Sequence, residues 1–299
     1  MPAFFCSELA RSQGDQLFGT AKQIQTFVAI EYPQSWREKA VESEIIPPEL
    51  RKRLSELKRQ QPQTRVLLIR QKDSKHRTPR CFIAKMDGAS SPRVHCRMLD
   101  GGYTDVIAML DDPASSPQWT GGPIFLICNH GKHDKCCALH GNPVLSAVSA
   151  STSVWESSHI GGCRFAANML SLSDGLLFGQ LTPEDAVRTI DACEAGKLDI
   201  ANFRGRSTFS KPVQAAEHFV RRDEPMLQGI HDLELRGSEC TGEHSWTTSF
   251  RFGSSMYAVD HAVSKSDAPR ILACSDTEPE FAWTHQLLSI RRSSSTVGD

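Results

Sequence analysis

The chain has 299 residues, of which 39% are apolar, and its 34 basic and 35 acidic side chains leave a formal net charge of -1. That length and apolar content suffice for one large domain or two modest domains that fold without disulfide bonds. The near balance of charge argues against nucleic acid and against an anionic membrane surface as partners, because both attract an excess of basic side chains.

The amino-terminal residues and the ten cysteines bear on the cellular compartment. The start of the chain lacks the layout of a secretion signal, and its Glu8 and Asp15 are unlike the acid-poor peptides that direct mitochondrial import. No apolar stretch approaches the roughly 18 to 20 residues of a membrane-spanning helix. We therefore predict a soluble, cytoplasmic protein whose clustered cysteines hold metal or perform redox chemistry rather than form disulfides.

Residues 1–118 predict an N-terminal α/β domain. A Pro-Pro-Glu sequence is typical of a helix start, and Leu50, Leu54 and Leu57 repeat after it at helical spacing. A short second helix is predicted at 105–110, before a run of turn-forming residues. The apolar runs that predict strands lie at 27–30, 66–69, 81–86 and 94–99.

Residues 119–222 predict a second α/β domain. Asn142 and Pro143 are typical of a helix cap and first turn, and another helix is expected to follow Thr182. The inward face of that last helix is predicted to comprise Val187, Ile190 and Cys193. Strands are predicted at 124–127, 154–155, 166–172 and 176–178.

The order of elements in this second domain is strand, helix, three strands and helix, which is the order of a thioredoxin-like layer. The first 112 residues follow the same order. A divergent structural repeat is therefore an open alternative, although no residue-level repeat supports it.

Residues 223–299 predict a small antiparallel β region that ends in a disordered tail. Short apolar segments alternate here with Gly, Ser and Asp turns. The serine-rich residues 291–299 are predicted to be disordered. The strands are expected at 233–235, 246–252, 256–259 and 271–274.

Five soft metal ligands lie close together near the middle of the chain: Cys128, Cys136, Cys137, His159 and Cys163. Cys128 and Cys137 enclose eight residues, and His159 and Cys163 enclose three. Each of these two pairs follows a predicted strand. Thiolate and imidazole groups hold iron–sulfur clusters or zinc, and nearby glycines allow the backbone to turn tightly and to direct amide groups at sulfur.

These two motifs resemble the sucrase/ferredoxin-like family, whose core is a thioredoxin-like ferredoxin domain. The resembling segments are 128–138 (CNHGKHDKCCA) and 155–168 (WESSHIGGCRFAAN). Weaker similarity occurs at Cys6, at 19–21, at 31–33 and at 204–206. The resemblance spans about two thirds of the chain, and the two central motifs are specific.

The resemblance implies a [2Fe-2S] cluster, with one iron held by Cys128 and Cys137 and the other by His159 and Cys163. It also implies a one-electron carrier or redox-response protein, without catalytic residues, that works with a redox partner protein. The best-described relatives have histidine in the place of Cys163, and other thioredoxin-like ferredoxins have cysteine in both positions of this pair. A thiolate there adds a negative charge, so we expect a lower reduction potential than that of two-histidine sites. If the second ring nitrogen of His159 reaches solvent, reduction is expected to be coupled to proton uptake.

The spacing leaves alternatives open. Cys136 offers a second pairing with Cys128, and the four predicted ligands are also a common set for structural zinc. A metal-free thiol oxidoreductase that uses Cys128 or Cys136 as nucleophile is a third interpretation, although no C-x-x-C motif is present. Sugar hydrolysis, which the family name suggests, needs a pair of carboxylates, and no pair distinguishes itself here.

The other histidines, cysteines and basic residues are not predicted to be metal ligands. His130 and His133 lie between the ligands and are expected on the surface or in support of a ligand. A basic stretch is predicted to be a solvated face, with docking of an acidic redox partner as the alternative; its residues are Arg204, Arg206, Lys211, Arg221 and Arg222. The cysteines without a shared spacing are predicted to be core residues: Cys6, Cys81, Cys96, Cys193, Cys240 and Cys274. The sequence does not indicate the oligomeric state.

Overall fold

A computed structural model describes residues 5–86 and 93–294 of the chain and gives an α/β fold with two sheets. The larger, mixed sheet comprises β1 (Thr26–Glu31), β2 (Thr64–Arg70), β3 (Arg80–Lys85), β4 (Arg93–Met98), β5 (Phe125–Cys128), β6 (Val154–Ser157), β7 (Met169–Ser171), β8 (Leu176–Phe178) and β9 (Phe203–Arg206). The helices are α1 (Cys6–Ser12), α2 (Pro48–Gln60), α3 (Asp105–Asp111), α4 (Lys135–Ala147), α5 (Pro183–Glu194) and α6 (Lys211–Asp223). Within these described residues, no helix is both long and apolar enough to cross a membrane.

The larger sheet contains two sets of four strands with the same internal arrangement. Its order is β4-β3-β1-β2-β6-β5-β7-β8-β9. In the first set β1 is parallel to β2 and antiparallel to β3, and in the second set β5 is parallel to β6 and antiparallel to β7. The sets join where β2 pairs with β6 through Ile69 and Ser157. Strands from before and after residue 118 therefore belong to one continuous sheet. The division of the chain into two domains at this residue stays a prediction.

Helices and irregular segments cover both faces of the larger sheet, and this explains the continuous apolar runs in its strands. Phe27 in β1 belongs to the core on one face, together with Leu67 and Trp155. Val28, next along the strand, belongs to the core on the other face. The predicted leucine face of α2 packs into that second core, as its helical spacing indicated.

Helix α4 begins seven residues before the predicted start at Asn142. Asp134 is the actual cap, because its side chain accepts a hydrogen bond of 2.9 Å from the backbone N–H of Cys136. Pro143 lies inside the helix rather than in its first turn. The earlier start places Cys136 and Cys137 in the first turn of a helix instead of in a loop.

Helix α5 begins as expected after Thr182, which forms a capping box with Asp185. The predicted inward face is wrong at one residue, because Val187 is 42% exposed. Ala186 is buried in its place, and it lies four and seven residues before the buried Ile190 and Cys193.

The C-terminal antiparallel sheet is confirmed, but its last strand was placed wrongly. The order of the sheet is β10 (Glu234–Gly242), β11 (Ser245–Phe252), β12 (Ser255–Lys265) and β13 (Trp283–Ser294). Residues 271–274, predicted as a strand, are irregular. Part of the predicted disordered tail instead belongs to β13, which pairs along the length of β12; residues 295–299 lie outside the described residues.

The basic stretch is largely buried, so its interpretation as a solvated or docking face is wrong for three arginines. Arg204, Arg206 and Arg221 are all buried. Glu217 lies between two of them and accepts hydrogen bonds from the Nε atoms of Arg206 at 2.9 Å and Arg221 at 3.0 Å. Glu217 and Arg221 of α6 thus form a buried ion triad with Arg206 of β9. Phe219 of the same helix packs against the C-terminal sheet.

The Glu217→Gln variant is expected to lower the free energy of unfolding by about 3 to 5 kcal/mol, because it leaves two buried guanidinium groups without their anion. Equilibrium unfolding in urea measures this loss. The matched control is Asp223→Asn in the same helix, whose carboxylate pairs with Arg222 where both side chains are exposed. This control should change stability by no more than about 1 kcal/mol. Equal effects of the two substitutions would contradict a structural role for the triad.

Candidate metal centre

The ends of two neighbouring strands bring the predicted ligand motifs together. β5 and β6 are parallel, so the residues that follow them share one edge of the sheet. Cys128 is the last residue of β5, and its N–H donates a hydrogen bond of 3.0 Å to the carbonyl of Asn168. The next residue, Asn129, donates to the carbonyl of Ser157 at the end of β6, two residues before His159. Strand order alone therefore places Cys128 close to His159.

The first turn of α4 supplies the cysteine that completes this group. The Sγ atoms of Cys128 and Cys137 and a ring nitrogen of His159 all lie within 4.8 Å of one another. Cys163 Sγ is 3.8 Å from Cys137 Sγ and 3.4 Å from His159 Nδ1. The four predicted ligands thus meet. Cys136 points elsewhere, so the geometry favours Cys137 over Cys136 as the partner of Cys128.

Two glycines shape the backbone between His159 and Cys163. Gly161 and Gly162 have φ angles of 118° and 79°, in the region that glycine adopts without strain. A Cβ atom on Gly162 would lie 2.4 Å from the guanidinium of Arg204. These glycines therefore allow a tight turn that brings both ligands to one side, against a buried cation.

Two arginines, the buried Arg204 and the half-buried Arg65, donate hydrogen bonds to the backbone of this turn. Arg204 Nη1 donates to the carbonyl of Gly161 at 3.0 Å and to Asn168 Oδ1 at 2.8 Å. Arg65 Nη2 donates to the carbonyl of His159 at 2.6 Å. Burial lowers the pKa of Arg204 to about 10 and also lowers the pKa of Arg65. Both remain cationic at neutral pH. The role of Arg65 was missed, because nothing in its local sequence connects it to the motifs.

The four candidate ligands shift one another's pKa values through their hydrogen bonds. A hydrogen bond with Cys137 lowers the pKa of the Cys128 thiol, and a bond of the same kind lowers the pKa of Cys163. The pKa of Cys137 itself is raised, because it is hydrogen-bonded to both. Burial alone lowers the pKa of His159, but its hydrogen bonds to Cys128 and Cys163 raise it to about 9. The lowered pKa values favour the thiolate forms of Cys128 and Cys163, whereas a metal ion would have to displace the proton of Cys137.

The other two histidines of the motif lie around His159. His130 is buried; one ring nitrogen is 2.8 Å from the carbonyl of Arg37, and the other accepts the backbone N–H of His159 at 3.3 Å. His133 is exposed, and its ring centroid is 3.8 Å from that of His159. A cleft of about 380 Å³ opens at this place and is lined by His133, His159 and Cys163. The site is therefore supported from inside and accessible from one side.

The remaining cysteines only partly behave as predicted. Cys81 and Cys193 are buried in apolar cores, and Cys240 is exposed. Cys6 is buried in the core as predicted, whereas Cys274 is only partly buried, and both side chains contact that of Cys136. All ten cysteines are free thiols. The clustered cysteine, histidine and aspartate side chains of the described residues could hold metal ions.

The chain is similar to a known protein family over a region that contains nearly all of the larger sheet. The model of the sucrase/ferredoxin-like family matches residues 17–205. The altered inheritance of mitochondria protein 32 of Eremothecium gossypii is 29% identical over 117 residues, which cover 32% of this chain and 37% of that protein. The protein of the same name from Candida glabrata is 28% identical over 113 residues, which cover 32% of this chain and 36% of that protein. The chain thus matches about a third of the length of these relatives. No solved structure is significantly similar to it.

Proposed function

This chain belongs to the sucrase/ferredoxin-like family, and from that premise we propose that it binds a [2Fe-2S] cluster and acts as a one-electron carrier or redox-response protein. Cys128 and Cys137 would hold one iron, and His159 and Cys163 the other. The observation that carries the proposal is the meeting of three sulfur atoms and one imidazole at the open end of β5 and β6.

The chemistry and spacing of the donors fit such a cluster. Thiolate and imidazole are the ligands of biological iron–sulfur centres. His159 Nδ1 and Cys163 Sγ are 3.4 Å apart, which suits two ligands on one tetrahedral metal. The backbone N–H of His130 donates a hydrogen bond to Cys128 and lowers the pKa of its thiol, and such amides tune the potential of clusters. When bound, the cluster supplies reversible uptake of one electron.

The side chains around the site would set the reduction potential. The thiolate of Cys163 adds negative charge and disfavours uptake of an electron, whereas the cationic Arg65 and Arg204 favour it. The half-buried His159 borders the cleft, so its non-ligating ring nitrogen would exchange a proton with solvent when the charge of the site changes.

The proposal extends to fold and location. We assign a thioredoxin-like layer to residues 119–222, preceded by a related α/β domain over 1–118 and followed by the β extension over 223–299. The shared strand order of the two four-stranded sets supports this assignment. Ten free cysteines support a reducing compartment, such as the cytoplasm. A redox partner protein would dock at the cleft beside His159.

Metal analysis of protein purified without oxygen tests the proposal. We expect about two irons and two acid-labile sulfides per chain, a reddish-brown colour and a signal in electron paramagnetic resonance after reduction by one electron. Zinc bound by Cys128, Cys137, His159 and Cys163, with no visible absorption, would replace this function by a structural one. Disulfide-reductase activity of the metal-free protein would instead favour the thiol oxidoreductase.

A further inference from the structure

A second group of sulfur atoms lies beside the proposed cluster, at the first turn of α4. Cys6 Sγ is 3.6 Å from Cys136 Sγ, Cys136 Sγ is 3.3 Å from Cys274 Sγ, and Cys274 Sγ is 3.6 Å from Cys6 Sγ. The three residues come from helix α1, helix α4 and the irregular segment 266–282. Three thiols that are far apart in sequence thus form a nearly equilateral triangle of sulfur.

Asp134 adds an oxygen to this triangle. Its Oδ2 atom is 3.9 Å from Cys6 Sγ and accepts the backbone N–H of Cys274 at 2.9 Å. Its Oδ1 atom accepts the backbone N–H of Cys136 at 2.9 Å. Two of the three cysteines therefore fix the orientation of the carboxylate through their own backbone. The ligand atoms of all four residues lie within 4.8 Å of one another.

We propose that Cys6, Cys136, Cys274 and Asp134 form a second metal site that binds one zinc ion. A tetrahedral zinc ion with Zn–S bonds of about 2.3 Å separates its sulfur ligands by about 3.8 Å, close to the spacing of this triangle. The carboxylate oxygen completes the fourth position. A hard oxygen ligand favours Zn²⁺ over Cu⁺, which prefers sulfur alone.

A disulfide or a second [2Fe-2S] cluster would fit this triangle less well than a zinc ion. A disulfide joins two sulfur atoms at about 2.05 Å, so the third thiol and the carboxylate would take no part in it. A [2Fe-2S] cluster needs its ligands in two pairs on two irons. Here, three sulfur atoms lie equally close together, which is the arrangement around a single ion.

The site would fasten the irregular segment 266–282 to the rest of the molecule. The two ends of this segment are joined by a backbone hydrogen bond from Ser266 to Ala282 and by the bridge between Arg270 and Glu280, and the residues between them belong to no helix or strand. Arg270 holds it on one side through an ion pair with the buried Asp15 at 2.7 Å. Leu272 and Ala273, directly before Cys274, line the cleft beside His159 and Cys163. Zinc bound to Cys274 would therefore hold a wall of the cleft through which the first site is reached.

The two sites would be adjacent but separable by mutation. Cys136 and Cys137 are consecutive on α4 and point to different groups, as residues about 100° apart on a helix do. Asp134 also lies within 4.8 Å of the Sγ atoms of Cys137 and Cys163, so it borders both groups. Cys274 and Cys6 contribute to the second group alone, and they are the residues to replace.

Zinc content of the full chain, after incubation with Zn²⁺ under reducing conditions and removal of free ion, tests the proposal. Cys274→Ser and Cys6→Ser should each lose about one zinc per chain relative to the wild type, whereas Cys240→Ser, the exposed control on β10, should lose none. Replacement of the zinc by Co²⁺ should give thiolate-to-metal charge-transfer absorption. In Cys274→Ser and Cys6→Ser this absorption should be weaker than in the wild type by the contribution of one metal site. Hydrogen exchange in 266–282 should become faster in Cys274→Ser than in the control.

Three results would overturn the second site: unchanged zinc in Cys274→Ser, loss of this zinc only in Cys137→Ser, or a disulfide among the three cysteines in reduced, anaerobic protein. The measurement does not depend on the first site. If the chain contains no iron, the proposed electron-transfer function fails, yet the loss of one zinc in Cys274→Ser still supports the second site.

Discussion

The Cys137→Ser variant, purified without oxygen, is expected to lose its visible absorption and nearly all of its iron. Cys137 lies at the centre of the first group, in contact with the sulfur of Cys163 at 3.8 Å and grouped with Cys128 and His159. A serine hydroxyl is a poor ligand for iron, and it would leave one iron with a single protein donor. Iron analysis and the optical spectrum measure the loss.

Two matched cysteine variants serve as controls for the loss of iron in Cys137→Ser. Cys193→Ser removes a buried thiol from a separate core and should keep the iron and the colour. Cys136→Ser, one residue away on the same helix, should also keep the iron, because Cys136 points to Cys6 and Cys274. Retained iron in Cys137→Ser together with lost iron in Cys136→Ser would assign the ligand pair to Cys128 and Cys136 instead.

The Cys163→His variant is expected to keep two irons and to raise the reduction potential by on the order of 100 mV or more, since clusters with two histidine ligands have much higher potentials than clusters with cysteine alone. The substitution exchanges a thiolate for a neutral imidazole and so removes one negative charge. Cys163 borders the cleft of about 380 Å³, which provides room for the larger ring.

A potentiometric titration followed by optical absorption measures the change in Cys163→His. The control is Cys240→His, which makes the same chemical exchange at an exposed residue of β10 and should leave the potential unchanged. A lower or unaltered potential in Cys163→His, with iron retained, would show that Cys163 is not a ligand. Loss of the iron in this variant would show that the site does not accept a second imidazole.

Local pattern was sufficient for most elements of the larger sheet. The central strands of this sheet are short apolar runs between turn-forming residues. The observed bounds of β1 and β2 lie within two residues of the predicted ones. The leucine spacing of α2 was equally informative, because one face of that helix is buried against the sheet. Two nearby signals misled the prediction of α4, since Asn142 and Pro143 imitate a helix start while Asp134 provides the real one.

Elements that depend on distant partners were missed. The polar sequence of β13 gives a weak strand signal, and its backbone is ordered by pairing along β12. Arg204, Arg206 and Arg221 look solvent-exposed by residue type, yet they are buried. Glu217 compensates the charge of the last two, and backbone carbonyls with Asn168 surround the guanidinium of Arg204. Glu217 and Arg221 are four residues apart on α6, but the sequence pattern does not show that the fold buries them together with Arg206 of β9.

By itself, the sequence identified the family and a set of soft ligands in two pairs, each following a predicted strand, because residue type and local spacing express those features directly. Only the tertiary structure decided which sulfur atoms belong together. The phase of α4 separates Cys136 from Cys137, and the packing of both chain ends against that helix brings Cys6 and Cys274 to Cys136. Such contacts depend on how the whole core packs, so no spacing along the chain could reveal them.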